Sequence, residues 1–590
     1  MLIAGLTAFN VFNKLESAER SGYYSMIAKS MSRSWHNFFF GALDPAGLIG
    51  LDKIPGSYWI PALMVRWFGF HNRAVVAPNG VATIIAVVII AYAARRLGGV
   101  WVGLLTGLLI ASTPIVVAVA RSNQPESFFV LSMAIATYCM VSALQTRRRL
   151  HLIFAGLAIA LAFQSYMIVA WAVWPALAIA WLFTKRSLRT KLLDLALAGA
   201  VSLLASTIWI LIVWLVPANR RPYIGNTLHN NPWEMVFGYN ALGRFGSANK
   251  MTGVDKTALA SFKTFTPPFA GHPGIFRFFY HQNIGQISWL LAAALISLVY
   301  LWVKGRHRTH LVLFGVWLLT DLVMFSAVAG MHQFYTTTMA IPMAVLVATA
   351  TVEAIRNRNR GWLSAILAST IAVAFLVLAE NPGYQRHLPL VQLGIAVVAT
   401  ALFWWAPKSR NTSWLIGATI ALALCFTPLV WSIDAQRHPS FVNPMAGPPD
   451  SYTSKLGHHS KFSKTNASDT APAVSHGKII KYLEANAHGA RFLVAAFGAD
   501  AAAAYVLQSD KPVIPIGGFS GADPVPSLSR FKELVHSGQV NYVLMNHFKG
   551  DASGLNGWQS VQIKHWVKAN CHKDYNPPQK VTLYSCLGVD

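Results

Sequence analysis

Long apolar runs separated by short basic clusters leave this chain few ways to fold. Windows of about nineteen residues pick out runs at 1–13, 74–94, 100–119, 127–144, 152–166, 167–183, 194–216, 286–303, 311–329, 336–355, 362–379, 388–405 and 413–431, about thirteen in all. A helix crossing a ~30 Å hydrocarbon core needs about twenty mostly apolar residues. The first run, MLIAGLTAFNVFN, is shorter and reads as the end of a span that begins upstream. Residues 152–183 as one helix, at about 1.5 Å per residue, would far exceed the core, so the stretch is divided in two. Charged residues make up 12% of the chain and hydrophobic ones 54%, against about 25% charged in soluble proteins. The expected fold class is a polytopic α-helical membrane protein of about thirteen transmembrane helices.

The net charge of +26 would suit a nucleic-acid binder, but its placement argues otherwise. The basic clusters are Arg95 and Arg96, Arg147 to Arg149, Lys185 to Lys191, Lys304 to Arg308, Arg356 to Arg360, and Lys408 to Arg410. Each falls between alternate spans, so all six lie on one face, and the positive-inside rule makes that face the cytoplasm of a plasma-membrane protein. Residues 14–73, 120–126, 217–285, 330–335, 380–387 and 432–590 are then outside. The first of these loops carries aromatic, amphipathic stretches suited to helices lying in the membrane interface.

The expected organisation is a membrane domain over 1–435, a Pro- and Ser-rich linker over 436–472, and an extracytoplasmic domain over 473–590. In the last part HGKIIKYLEANA, AAAAYVLQSD and SLSRFKELVHSG read as helices. ARFLVAAFGA, KPVIPIGG and VNYVLMNH read as strands, and the alternation predicts a small α/β domain with a parallel sheet. Cys139 and Cys425 lie in apolar runs and read as small core residues. Cys571 and Cys586, in polar sequence outside the cytoplasm, are expected to form a disulfide.

Ionisable groups near or within a bilayer are costly, so each needs a reason. Glu16 and Glu19 follow the first run and read either as solvated charges or as site carboxylates. Asp44, Asp52 and Lys53 lie in LDPAGLIGLDKIPGSYW, where Asp52–Lys53 is either a local ion pair or part of a site. Arg121 and Glu126 flank a short outer turn and could pair with each other. His332 and Tyr335 lie in another short loop, with a hydrogen-bonded structural histidine as the plain reading. Asp321 sits mid-span and reads as facing the protein interior. The histidines 458, 459 and 476 have no metal-ligand spacing. GGFSG at 517–521 could approach phosphates, although a tight turn after a strand is the simpler reading.

The segment YYSMIAKSMSRSWHNFFFGALDPAGLIGLDKIPGSYW resembles the first outer loop of actinobacterial members of the superfamily of protein O-mannosyltransferases and aminoarabinose transferases. RPYIGNTLHNNPWEMVFGYNALGRF, QISWLL, HQFYTTTMA, GGFSGADP and the closing cysteine pair are further landmarks, so the resemblance covers nearly the whole chain. It implies a GT-C fold and an inverting transfer of sugar from a polyprenyl-phosphate carrier to an acceptor on the outer face, be it envelope glycan, lipid or protein. That chemistry needs a carboxylate to take the acceptor proton and a cation for the leaving phosphate. By position Lys53 resembles the family lysine that meets carrier phosphate, with Arg121 as a second phosphate-binding candidate. Asp52 matches the acid beside that lysine, which in some relatives helps hold a divalent metal. Glu126 resembles a short-loop acid of the family and, with Tyr24, His332 and Tyr335, is a substrate-binding candidate. Three positions depart from the family pattern. Arg20 stands where an Asp usually precedes Tyr24, DKPP reads DKIP, and the short-loop NNNPD reads SNQPE. The base therefore stays open among Glu19, Asp44 and Asp52. Two rival classes are a transporter or flippase for an envelope lipid or polysaccharide, and a non-catalytic scaffold of envelope assembly.

Overall fold

The structure, a computed structural model, describes residues 1–590 apart from 19, 242–243, 245–268, 306–307, 408, 437–442, 448–472, 520, 547–557, 576–580 and 590. Glu19, most of the expected linker and the histidines 458 and 459 therefore lie outside the described residues.

Every apolar run falls on a helix, but the count of crossings changes. Among the described residues nine helices are long and apolar enough to span, or ten if the bent pair Val100–Ala111 and Pro114–Ala120 is one span. Pro114 opens the second member of that pair, where its missing N–H costs nothing, and the two axes differ by 66°. Arg149–Leu182 is one apolar stretch of 34 residues. Its halves, Arg149–Tyr166 and Trp174–Leu182, are separated by a 3₁₀ segment, Met167–Val173. Leu2–Phe12 and Ser288–Lys304 are apolar but short.

The chain forms two compact units. The first comprises Met1–Glu19, Val76–Thr207 and Pro268–Lys455. Its most enclosed span, Gln333–Arg356, is 89% buried over its apolar window. Ala340, Ala344 and Ala348 repeat along that helix and are buried, so neighbouring backbones can approach closely. Peripheral spans turn Leu203, Leu204, Val397, Val398 and Trp405 outward. Apolar residues on an outer surface are costly in water and neutral against lipid tails, which fits a multi-pass membrane protein.

The second unit comprises Arg20–Val75, Ile208–Pro267 and Leu456–Asp590, so the C-terminal region falls in one compact unit with both long loops. Its sheet has the order β2-β1-β3-β5-β4, with β1 Ala495–Phe497, β2 Ile514–Ile516, β3 Tyr542–Met545, β4 His572–Tyr575 and β5 Thr582–Ser585. The three expected strands are β1, β2 and β3, and they run parallel. β5 and β4 add an antiparallel edge, and Cys571 and Cys586 are joined by a disulfide at its base.

The first-loop helix Gly22–Arg33 was expected to lie in the membrane interface, but Ser25 through Met31 are all buried in protein. Met26, Ile27 and Met31 pack into one cluster with Ile479, Leu483, Ala502, Ala503 and Val506 of the C-terminal region. Lys29 Nζ donates to the carbonyls of Val506, Leu507 and Ser509 at 2.9, 3.2 and 3.0 Å. These are orphan carbonyls at the end of helix Ala499–Gln508, and a cation there also complements the helix dipole. The aromatic residues left exposed are Trp35, Trp67 and Phe68, at the start and end of neighbouring short helices.

Candidate active site

Residues 41–51 of the second unit fold back on themselves around one carboxylate. Asp44 accepts backbone N–H bonds from Ala46, Leu48 and Ile49, each at 2.9 Å. Leu43 donates to Ile49 and Leu51 to Gly41, closing the base of the loop. Gly41 has φ +68°, and a Cβ there would lie 2.4 Å from Leu51, so the turn requires glycine. Asp44 is fully enclosed and burial pushes its carboxyl up to about 6, against the opposing pull of the three N–H donors. With both oxygens engaged inside the loop, this base candidate is the lock of its own turn.

That turn delivers Asp52 and Lys53 just before helix Gly56–Phe68. Lys53 Nζ lies 2.5 Å from Asp52 Oδ1, with side-chain exposures of 11% and 5%. The Tyr23 hydroxyl donates to the same Oδ1 at 3.2 Å. Lys53 also donates to the Tyr24 hydroxyl at 3.4 Å and sits 5.1 Å from the Tyr24 ring centroid. Tyr24 in turn stacks on Tyr58 at 5.2 Å. Burial alone would lower the Lys53 ammonium, but the Asp52 carboxylate together with Tyr24 and Tyr239 outweighs it and holds the amine above its ordinary range. Burial and then the Asp52 charge push the Tyr23 phenol upward, so it stays a neutral donor. Both side-chain bonds to Asp52 fall on Oδ1, so Oδ2 has no hydrogen-bond donor among the described residues.

The second long loop supports this pair from below. Gly50 donates to Tyr223 O at 2.7 Å and Tyr223 to Leu48 O at 3.0 Å. Asn240, at the end of the π-helical turn Glu234–Tyr239, donates to Asp52 O at 2.8 Å. The Gly-rich segment after β2 is a tight turn, with Gly517 and Gly518 at φ +80° and +63°. Phe519 of this turn packs 4.7 Å from Tyr23. Sequence reasoning missed Tyr23 and Asn240. Tyr23 stands beside a named candidate at the head of an amphipathic helix, whereas Asn240 carries no local signal.

The remaining candidates belong to the first unit. All of the Arg121 hydrogen bonds go to main-chain carbonyls, those of Asn10, Val11, Asn13 and Lys14, at 3.3, 2.6, 2.7 and 3.2 Å. The guanidinium expected to meet phosphate thus caps the end of helix Leu2–Phe12. Glu126 is buried at the first position of helix Glu126–Thr146, where the positive helix end favours a carboxylate. His332 bonds Asn443 through Nδ1 and lies between Phe269 and Phe334, with centroids at 4.6 and 4.7 Å. Tyr335 meets Tyr166 edge-on at 5.4 Å. Asp321 is buried and accepts from Thr338 at 2.9 Å, so it faces protein.

Two family models match the chain. "Dolichyl-phosphate-mannose-protein mannosyltransferase" covers residues 52–210, and "Putative mannosyltransferase YkcB-like, C-terminal" covers 479–570. Among curated relatives, "Putative mannosyltransferase YkcB" of Bacillus subtilis is 27% identical over 97% of this chain and 90% of its own length. The undecaprenyl phosphate-α-4-amino-4-deoxy-L-arabinose arabinosyl transferase of Pseudomonas paraeruginosa is 26% identical over 64% of this chain and 66% of its own. ArnT from Cupriavidus metallidurans, solved with bound undecaprenyl phosphate, superposes with a TM-score of 0.56 at 14% identity, covering 100% of this chain and 98% of that one. AglB, the oligosaccharyltransferase of Archaeoglobus fulgidus solved with an inhibitory peptide and a dolichol-phosphate, gives 0.51 at 13% identity over 100% and 74%. The relatives are transferases, which disfavours the transporter and scaffold readings. With its many apolar spans and its sheet-bearing second unit, the chain shares the fold of ArnT and AglB, and along nearly its whole length it is similar to a protein named as a mannosyltransferase.

Proposed function

We propose that this protein moves a sugar from a polyprenyl-phosphate carrier to an acceptor hydroxyl, with inversion at the anomeric carbon. The observation that carries this reading is the Asp52–Lys53 pair, nearly buried yet with Asp52 Oδ2 lacking a donor among the described residues. Oδ2 takes the acceptor proton as the new C–O bond forms. The anomeric carbon–oxygen bond breaks toward the carrier phosphate, whose charge meets the Lys53 ammonium. An ammonium has three donor directions, and among the described residues Asp52 and Tyr24 occupy two, which leaves one for phosphate. Tyr23 and Lys53, both on Oδ1, orient the carboxylate so that Oδ2 points the other way.

A divalent metal at Asp52 fits this donor set poorly. The ammonium already occupies Oδ1, and no group of three His, Cys, Asp or Glu side chains converges among the described residues. The chemistry is accordingly written with the lysine alone. Counted over the thirteen apolar runs of the sequence, the basic clusters fall on one face, which supports a plasma-membrane protein whose second unit is extracytoplasmic. The acceptor is then an envelope glycan, lipid or protein.

The test incubates purified protein with undecaprenyl-phosphate mannose and envelope extract, and follows release of bare carrier phosphate. Asp52→Asn and Lys53→Met should each reduce turnover by at least about 10³-fold, the scale of losing a base or an electrostatic stabiliser. Full turnover in both variants would refute the assignment.

A further inference from the structure

Asn226 and Asp523 lie close to the main chain that leads into Asp52 and carry three buried polar atoms that no described residue satisfies. Asp523 is 2% exposed and Asn226 is 7% exposed. Asp523 Oδ1 accepts the Asn226 backbone N–H at 2.9 Å. Asp523 Oδ2, Asn226 Oδ1 and Asn226 Nδ2 have no hydrogen-bond partner among the described residues. A buried polar atom left unsatisfied is costly, so three on two adjoining side chains call for a partner.

Three glycines bring these groups together. A Cβ on Gly225 would lie 2.5 Å from Gly50 O and 3.1 Å from Leu51 C, so only glycine lets this loop rest on the main chain leading into Asp52. A Cβ on Gly518 would stand 2.0 Å from Asp523 Oδ2, and that residue also has φ +63°. Gly517 is held as closely, 2.6 Å from Gly521 O by the same measure. Asn226 itself is left-handed at φ +55°, a conformation that asparagine tolerates better than most residues. Phe519, next to Gly518, packs on Tyr23, whose hydroxyl holds Asp52. The cluster is thus continuous with the catalytic pair.

Its chemistry is two-sided. Burial, with the Asp52 and Glu234 charges nearby, lifts the Asp523 carboxyl well above its usual range, which favours the protonated acid. A carboxylic acid and a carboxamide together offer donors and acceptors side by side, which complements neighbouring hydroxyls on a sugar ring.

The geometry points to Asn226 and Asp523 as the subsite that binds hydroxyls of the donor sugar, which makes the C-terminal region part of donor recognition. This rests on the carrier-sugar reading above. The test measures the affinity of the full-length protein for bare undecaprenyl phosphate and for undecaprenyl phosphate carrying mannose, glucose or arabinose. The wild type should favour one sugar-bearing carrier over the bare one. Asn226→Gly keeps the left-handed backbone and removes only the unpartnered amide. It should lose about tenfold or more in affinity for the favoured sugar-bearing carrier, keep its affinity for the bare carrier, and unfold no earlier than wild type. Asp523→Asn should reduce the same preference. Equal preference in wild type and Asn226→Gly would overturn the subsite while leaving the function intact, as would a wild type that binds all carriers alike. A wild type that binds no carrier would overturn both.

Discussion

Replacing Lys53 by Met, alone and together with Asp52→Asn, separates what the buried pair does for folding from what it does for chemistry. At 2.5 Å and an effective dielectric of about 20, the attraction between the two charges is about 6–7 kcal/mol. Desolvating each ion costs several kcal/mol, so the pair contributes little net stability. Removing only the ammonium leaves a carboxylate that is 5% exposed with the Tyr23 hydroxyl as its sole side-chain donor among the described residues. Lys53→Met should therefore cost about 3–5 kcal/mol, a fall in unfolding temperature on the order of 10 °C for a unit of this size. The double variant replaces both charges by neutral groups of similar volume and should recover most of that loss. Both proteins should fail to bind undecaprenyl phosphate. The assay is thermal unfolding in detergent alongside carrier binding. A double variant as unstable as Lys53→Met would refute the reasoning, because the pair would then be holding the fold. Carrier binding by the double variant would remove Lys53 from phosphate recognition.

Three further outcomes follow from the second unit. Lys29→Met leaves three helix-end carbonyls without their donor, so it should weaken docking of helix Ala499–Gln508 by about 1–3 kcal/mol and raise proteolysis of the C-terminal region several-fold. The buried Asp44 carboxyl has a folded-state value of about 6, above its ordinary 3.8. Its contribution is complete below pH ~4 and is lost as pH rises through ~6, about 3 kcal/mol in all. Asp44→Asn should flatten that part of the pH dependence of unfolding. Cys571 and Cys586 are 15 residues apart, and their replacement by Ser should cost about 3 kcal/mol, read as a lower unfolding temperature of the second unit.

The sequence carried the membrane helices plainly because each apolar run is set by bilayer thickness, a constraint that acts locally along the chain. The number of crossings was harder to read. Met167–Val173 tightens into 3₁₀ without any polar residue, and Pro114 bends a run that hydropathy treats as one. β1, β2 and β3 were legible as buried apolar strands, while HKDY in β4 has no apolar alternation and depends on its pairing with β5. Asp52 and Lys53 stood out as charges in an aromatic setting. Asp44 and Arg121 stood out for the same reason, yet their partners are main-chain groups that no sequence pattern reveals. Asn226 and Asp523 are 297 positions apart and meet only once the chain is folded.

Helix Gly22–Arg33 serves two masters within three turns. Its first residues, Tyr23 and Tyr24, hold the Asp52–Lys53 pair, and its middle, from Met26 to Met31, is the seat of the C-terminal region. Cutting away that region would strip water-shy Met26, Ile27 and Met31 of their cover and slacken the tyrosines at the same stroke. Any shortened homologue must therefore roof this helix with some other element, and grafting a foreign tail onto this enzyme requires redesigning the helix face as well as the junction.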